Sequence, residues 1–311
     1  MTWHTEPLLG FDLETTGINV ETARIVTAAA IDWKPGDSLD TLPDRSRLWL
    51  SDVGGMRIPD QATAVHGVTT EQARADGRPA AQVADEIADV LAANLATGIP
   101  VVAMNGRYDF TVLDRELRRH QLATLQERLG SDTSPGPIVD PYVLDKQADR
   151  YRKGSRKLEA LAVHYGVTLA AAHTADADAL AAVEVAVAIA EKYPQLQVHA
   201  QQLHVWQAWW ARQQAAELQA HLRRMDPYVV VDAEWPLIQL TDERKLRATL
   251  DDLLERWAPM ATCGDDAPEM AHGRAHGYRK ALADVRDVLR TGQIPHDLAT
   301  DTELEMWGAT Q

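Results

Sequence analysis

Two carboxylate residues stand one residue apart near the start of the chain, in the stretch Leu8-Leu9-Gly10-Phe11-Asp12-Leu13-Glu14-Thr15-Thr16-Gly17. The apolar residues before Asp12 and the glycine that closes the stretch predict a buried strand that runs into a tight turn. Because side chains alternate along a strand, Asp12 and Glu14 share one face and Leu13 points to the other. Two desolvated carboxylates repel each other, which favours a divalent cation between them. A pair of solvated acids at a strand end has the same pattern.

A third carboxylate, Asp109, follows the apolar run Ile99-Pro100-Val101-Val102-Ala103-Met104, which predicts a central strand. Apolar residues at helical spacing from Phe110 onward predict a helix directly after it. Asp109 therefore lies just past the C-terminal end of a strand, where ligands gather in sheets of this kind. An aspartate at the start of a helix is also a common cap without a chemical role.

The last group of this kind is His173-Thr174-Ala175-Asp176-Ala177-Asp178, followed by an alanine- and valine-rich helix to about Lys192. Asp178 falls in the early part of that helix and His173 on the loop before it. One aspartate at a helix N-terminus has a structural explanation, because the N-terminus favours negative charge. Farther upstream, His66 lies beside a glycine and is either a residue that lines the site or a loop histidine without a role.

Composition limits the class of protein. The chain has 311 residues, 45% hydrophobic and 25% charged, which fits one large or two ordinary globular domains. The single cysteine excludes an intramolecular disulfide framework, and no secretory signal or run of about 18 apolar residues is visible. We therefore expect a cytoplasmic protein that does not enter a membrane. The 31 basic and 46 acidic residues disfavour tight, non-specific binding to duplex nucleic acid.

The intervening elements alternate between strands and helices. Strands are predicted at 24–32, as a hairpin partner of the first strand, at 47–50 and at 138–140, and helices at 81–96 and 157–165. Basic residues cluster at 115–119 and again at 150–157. The second cluster includes a tyrosine and could contact a nucleic-acid strand, whereas a solvated helix face or loop is at least as good an interpretation of the first.

After Pro194 the sequence predicts helices alone, at about 199–224, 242–257 and 272–290, with an acidic, loose tail from 291. Trp206, Trp209 and Trp210 could stack on bases, but their helical spacing is more typical of core packing. This region could pack against the first domain, form a homodimer or cover a substrate path.

The motifs, taken together, resemble those of the DEDD-type (DnaQ-like) 3′-to-5′ exonucleases, in the subclass whose third motif carries histidine. The first motif, Asp-x-Glu-Thr-Thr-Gly, is present without change as 12–17. The second, His-Asn-Ala-x-Phe-Asp, corresponds to 104–109, with methionine in place of the leading histidine. The third is His173 and Asp178, five positions apart. The resemblance covers roughly the first 190 residues.

The resemblance implies an α/β, ribonuclease-H-like mixed sheet flanked by helices over residues 1–194, with an all-α C-terminal region over 195–311. It implies two divalent cations, Mg²⁺ or Mn²⁺, about 4 Å apart, and such hard cations prefer the oxygen ligands that this acidic set offers. The implied metal ligands are Asp12, Glu14, Asp109 and Asp178, with His173 as the general base. The residues implied to contact substrate are Leu13, Thr15, Thr16, His66 and Asn105.

The expected activity is 3′-to-5′ hydrolysis of single-stranded DNA to nucleoside 5′-monophosphates. An exonuclease for RNA or short oligonucleotides is the alternative within enzymes, because the same acidic set serves both and discrimination of the 2′-hydroxyl cannot be deduced. A non-catalytic, metal-bound adaptor for a polymerase or another replication or repair partner is the alternative from another class.

Overall fold

The computed structural model of the protein describes residues 2–37, 45–130, 134–169, 174–241 and 269–291, with side chains of the last range described for 274–286. The chain forms two compact units, Met1–Glu217 with Asp232–Gln239, and Leu218–Val231 with the described part of Leu240–Gln311. The domain boundary predicted at residue 194 stays a prediction. The helix predicted at 242–257 lies outside the described residues.

The first unit is built on a mixed sheet. Its described strands are β1 (Leu8–Thr15), β2 (Ile25–Trp33), β3 (Ser46–Leu50), β4 (Val101–Val102) and β5 (Ile138–Val139). They lie in the order β3-β2-β1-β4-β5. β1 and β3 are antiparallel to β2, whereas β4 is parallel to both β1 and β5. The hairpin predicted between the first two strands is confirmed, and β1 occupies the centre.

The helices flank this sheet, and those predicted at 81–96, 157–165 and 199–224 are observed with their ends shifted by one or two residues. The described α-helices are α1 (Asp60–His66), α2 (Thr70–Asp76), α3 (Ala80–Ala96), α4 (Arg107–Arg119), α5 (Leu125–Arg128), α6 (Pro141–Ala148), α7 (Leu158–Tyr165), α8 (Ala175–Lys192), α9 (Ala200–Leu222) and α10 (Glu269–Thr291). None of these described helices combines the length and apolar character needed to cross a membrane.

The alternation of side chains along β1 separates two faces of the sheet. Phe11 points toward α4, where its ring centroid lies 5.7 Å from that of Phe110. Gly10 points the other way, toward α8, and a Cβ atom added to it would lie 2.7 Å from the carbonyl oxygen of Ala179. Because Asp12 and Glu14 share the face of Gly10, the absence of a side chain at Gly10 lets α8 approach the strand that carries them.

Polar side chains of α9 complete the hydrogen bonding of β5. The backbone N–H of Ile138 donates to Nδ1 of His204 (3.2 Å), and Gln207 Nε2 donates to the carbonyl of Ile138 (2.9 Å). The N–H of Asp140, just beyond β5, donates to Oε1 of Gln207 (2.8 Å). The side-chain amide of Gln207 thus supplies both the donor and the acceptor that the backbone of a neighbouring strand would supply. Of the three tryptophans, Trp210 is buried, Trp206 lies beside it, and Trp209 is 55% exposed.

Arg115 of the first basic cluster forms buried ion pairs, whereas the side chain of Arg118 in the same cluster is 39% exposed. Arg115 is only 4% exposed and pairs with Glu21 (2.6 Å) and with Asp114 (2.6 Å). Glu116, fully buried, accepts from Arg24 (3.2 Å) and pairs with Arg119. Since Glu21 and Arg24 belong to the loop after β1, these pairs tie that loop to α4.

The described part of the second unit is small. The backbone N–H of Val231 donates to Oε1 of Gln219, and Nε of Arg223 donates to the carbonyl of Val229. Ala275 and Leu282, which lie on one face of α10, are buried.

We expect Gln207→Ala to lower the free energy of unfolding by roughly 2–4 kcal/mol, because it removes the partners of two buried backbone groups, the N–H of Asp140 and the carbonyl of Ile138. Gln213 is exposed on the same helix, and Gln213→Ala should change stability by less than about 0.5 kcal/mol. Urea titration of both variants measures the difference. Equal effects would contradict this role for Gln207.

Candidate active site

Three of the predicted carboxylates meet in space. Oxygen atoms of Asp12, Glu14 and Asp178 all lie within 4.8 Å of one another, and each residue is partly exposed. Asp12 and Glu14 come from β1, whereas Asp178 comes from the first turns of α8. Asp178 precedes Ala179, the residue that contacts Gly10, so the close packing of helix on strand brings the third acid to the other two.

The fourth carboxylate reaches the same strand from α4. Asp109 is buried, and its Oδ1 accepts a hydrogen bond from the backbone N–H of Leu13 (3.2 Å). The backbone N–H of Leu9, which lies on the same edge of β1 as that of Leu13, donates to the carbonyl of Pro100. β4 ends at Val102 and offers no such carbonyl to Leu13. Asp109 thus takes the place of a strand partner for Leu13, whose amide is engaged within the protein.

Burial and mutual repulsion disfavour the ionised forms of these acids. Burial raises the pKa of Asp12 well above its usual range, and the neighbouring charges, led by that of Asp109, raise it further. Burial, followed by the charge of Asp178, raises the pKa of Glu14 to about 7. The pKa of Asp109 is also raised, chiefly by burial.

The donor set fits hard divalent cations. All the converging atoms are carboxylate oxygens, the ligands that Mg²⁺ and Mn²⁺ prefer. The repulsion that raises the pKa of these acids would be relieved by a cation among them. Among the described residues no histidine or cysteine joins the three clustered acids. The geometry therefore fits the predicted metal ligands better than it fits solvated strand ends.

A second buried acid supports the loop that leads to Asp109. Asp140 is 1% exposed, and its Oδ1 accepts from the backbone N–H groups of Asn105 (2.9 Å) and Tyr142 (3.0 Å). Asn105 has a positive φ of 54°, which asparagine tolerates better than most residues. Sequence reasoning identified the strand before Asp140 but missed this role. The pattern of an acid that follows an apolar run, already noted at Asp12, was the available signal.

The segment Asp232–Gln239 also supports α4. Nε1 of Trp235 donates to Oδ2 of Asp140 (3.4 Å), and Nη1 of Arg107 donates to the carbonyl of Asp232 (2.6 Å). The N–H of Ile238 donates to Oγ1 of Thr111 (3.0 Å). The start of the helix that carries Asp109 is thus held from both sides, and no local pattern in the sequence predicted this contact.

The residues predicted to contact substrate take several positions. Thr15 Oγ1 lies 2.5 Å from the hydroxyl of Tyr108, and Thr16 Oγ1 accepts from the N–H of Arg24 (2.9 Å). The side chain of Asn105 is exposed. His66 ends α1, where its Nδ1 accepts from the N–H of Val68 (3.1 Å) and burial lowers its pKa. Their contacts with substrate stay predictions, and His173 lies outside the described residues.

The chain is similar to known proteins in family and in fold. The family model described as Exonuclease (RNase_T) matches residues 9–186. The zinc-bound E. coli exonuclease I–ssDNA complex is 22% identical, with a TM-score of 0.51 over 61% of this chain and 42% of that chain. Exonuclease I from Methylocaldum szegediense is 21% identical, with a TM-score of 0.48 over 69% of this chain and 45% of that one. No curated protein matches the chain.

The match to the E. coli structure concerns the fold, and it confirms the predicted ribonuclease-H-like α/β architecture. The matched region spans less than half of the length of either exonuclease I chain.

The raised pKa of Glu14 makes stability depend on pH when metal is removed. The folded state holds a proton on Glu14 up to about pH 7, whereas the unfolded state loses it near pH 4.5, so ionisation opposes folding as pH rises between these values. We expect the Tm of Glu14→Gln in EDTA to exceed that of the wild type increasingly over this range. Glu71→Gln, an exposed change on α2, should leave the wild-type profile unaltered. A constant difference between Glu14→Gln and wild type would contradict the shift.

Proposed function

The chain belongs to the exonuclease family whose model matches residues 9–186, and from that membership we propose a metal-dependent 3′-to-5′ exonuclease that releases nucleoside 5′-monophosphates from single-stranded DNA. Family membership makes the protein an exonuclease, which hydrolyses phosphodiester bonds. The exonuclease domain would span 1–194, with 195–311 as a helical region. The observation that carries the proposal is the convergence of Asp12, Glu14 and Asp178, with Asp109 of α4 hydrogen-bonded to the backbone of Leu13.

The four carboxylates would hold the cations. Asp12 interacts electrostatically with all three other acids, since the charges of Asp109, Glu14 and Asp178 each raise its pKa. Asp12 would therefore hold the ions together with each of the other three acids. When bound, a pair of Mg²⁺ or Mn²⁺ ions activates a water molecule and neutralises charge at the scissile phosphate.

The remaining roles fall to neighbouring side chains. His173, five residues before Asp178, would accept the proton of the attacking water, because an imidazole has a pKa near neutrality. Thr15, Thr16 and Asn105 would hold the terminal nucleotide, together with Leu13 and His66. A backbone amide after Glu14 would meet the terminal 3′-hydroxyl, and this contact would restrict attack to chain ends.

The preference for single-stranded DNA draws on two observations. The fold matches a protein whose structure was determined as an exonuclease I–ssDNA complex. The chain itself carries a net charge of −15, which disfavours wrapping a duplex by phosphate neutralisation alone.

We expect the wild-type protein with Mg²⁺ or Mn²⁺ to shorten 5′-end-labelled single-stranded DNA stepwise from the 3′ end, and EDTA to stop it. Asp12→Asn should lower kcat by more than about a hundredfold, because it weakens the binding of both ions. The matched control is Asp60→Asn, an exposed acid on α1 paired with Arg57, which should retain wild-type activity. Denaturing gels resolve the products.

Three other results would each contradict one part of the proposal. Removal of nucleotides from the 5′ end would contradict the polarity. Cleavage of RNA alone would favour the RNA or short-oligonucleotide exonuclease. Metal binding without cleavage of either strand would favour an adaptor.

We expect His173→Asn to lower kcat by about 10²–10⁴-fold, the usual contribution of a general base, with a smaller change in KM. His221→Asn alters an exposed histidine of α9 and should have no effect on kcat. Single-turnover rates measured across pH separate the two variants. Retention of the wild-type rate and pH profile by His173→Asn would assign the base elsewhere.

A further inference from the structure

A groove of about 700 Å³ opens next to Asn105, among α6, α7 and the loop between them. Its walls include Tyr142 and Lys146 of α6, Arg156 and Lys157 of the loop, and Glu159 of α7. Asn105 also leads into α4, which delivers Asp109 to β1. α7 packs against α8, the helix of Asp178. The groove therefore lies among the elements that position the acids.

The charge of this groove is opposite to that of the chain as a whole. Three basic side chains and one carboxylate line it, although the chain carries a net charge of −15. Within the described part of the chain, neither Lys146 nor Lys157 forms an ion pair with a carboxylate. Lys157 is exposed, and the Nζ of Lys146 lies 5.3 Å from the ring centroid of Tyr142. A polyanion would find two accessible cations and an aromatic ring here.

A buried carboxylate fixes the loop that carries Lys157. Asp145 is completely buried, and its oxygens bind Arg152 (3.3 Å), Arg156 and the hydroxyl of Tyr165 (2.7 Å). Arg156 also donates to the carbonyl of Asp149 (2.7 Å). Part of the basic cluster at 150–157 is thus committed to holding the loop, and Lys157 is left at the groove. Such a pre-organised wall reduces the entropy lost on binding.

We propose that this groove holds the part of a single strand that lies on the 5′ side of the scissile phosphate, with Lys146 and Lys157 against phosphates and Tyr142 against a base. The inference rests on the proposed 3′-to-5′ activity, because an enzyme that removes terminal nucleotides has the rest of its substrate on that side. A cationic groove with an aromatic platform matches the chemistry of single-strand binding without sequence preference.

The test measures binding in the Asp12→Asn background, so that the strand is not consumed. Fluorescence anisotropy reports the Kd of the full chain for a fluorescein-labelled oligothymidylate of about 12 nucleotides. We expect Lys146→Gln/Lys157→Gln to raise Kd about tenfold. The slope of log Kd against log salt should fall by about 1.4, because two phosphate contacts are lost. Tyr142→Leu should raise Kd about tenfold, and Tyr142→Phe should restore it.

The matched control is Lys34→Gln/Lys280→Gln, which removes the same charge from two exposed lysines outside the groove and should leave Kd unchanged. An equal loss of affinity in this control would overturn the groove assignment, since bulk charge would explain it. Unchanged affinity in the Lys146 and Lys157 variant would also overturn it, as would the absence of binding by the parent. If the wild type cleaves DNA but the groove variants bind as tightly as their parent, the groove assignment fails and the proposed activity stands. If binding depends on the groove residues but the wild type does not cleave, the proposed activity fails and the groove assignment stands.

Discussion

Repulsion among the carboxylates of Asp12, Glu14 and Asp178 is the constraint around which the first unit is arranged. Two unit charges no more than 4.8 Å apart repel by at least about 3 kcal/mol at an effective dielectric constant of about 20. This repulsion opposes the close packing of α8 on β1. The apolar contacts of α8 with the sheet must therefore offset it, and Gly10 allows those contacts to form at short range. At this site, packing energy offsets the cost of bringing acidic side chains close together.

The support of the site continues beyond the acids. Asp109 depends on where α4 begins, and that start is fixed by Asp140, Arg107 and Thr111. On the opposite side, ion pairs of Arg115 and Glu116 join α4 to the loop after β1. A helix that is bonded at its first turn and along its length has little freedom to move its carboxylate.

The sequence predicted what local patterns encode. Strand β1 and its alternating faces follow from a run of apolar residues around Asp12 and Glu14, and the placement of Asp109 and Asp178 follows from strand and helix signals beside them. Asp140 and Trp235 are 95 residues apart, and Asp140 and Gln207 are 67 apart, so no local pattern links them. Gln207 in an alanine- and glutamine-rich helix has the pattern of a solvated residue, although it is fully buried.

Local sequence patterns also fail to predict which charged residues are buried in ion pairs. Arg115 looks like part of a solvated face because its sequence neighbours are charged, but it is buried, and its partner Glu21, which is partly buried, lies 94 residues away. A buried ion pair of this kind is invisible until both partners have been placed.

The hydrogen bonds that Gln207 and Trp235 make to Asp140 can form only late in synthesis, because both residues are added long after Asp140. The four proposed metal ligands emerge from the ribosome before these two residues, since the last of the four is Asp178. At that stage the N–H of Asp140 and its Oδ2 still lack the partners supplied by residues 207 and 235. A nascent chain would therefore carry all four acids before the hydrogen bonds around Asp140 are complete, and the support of the start of α4 would be finished only as later residues emerge.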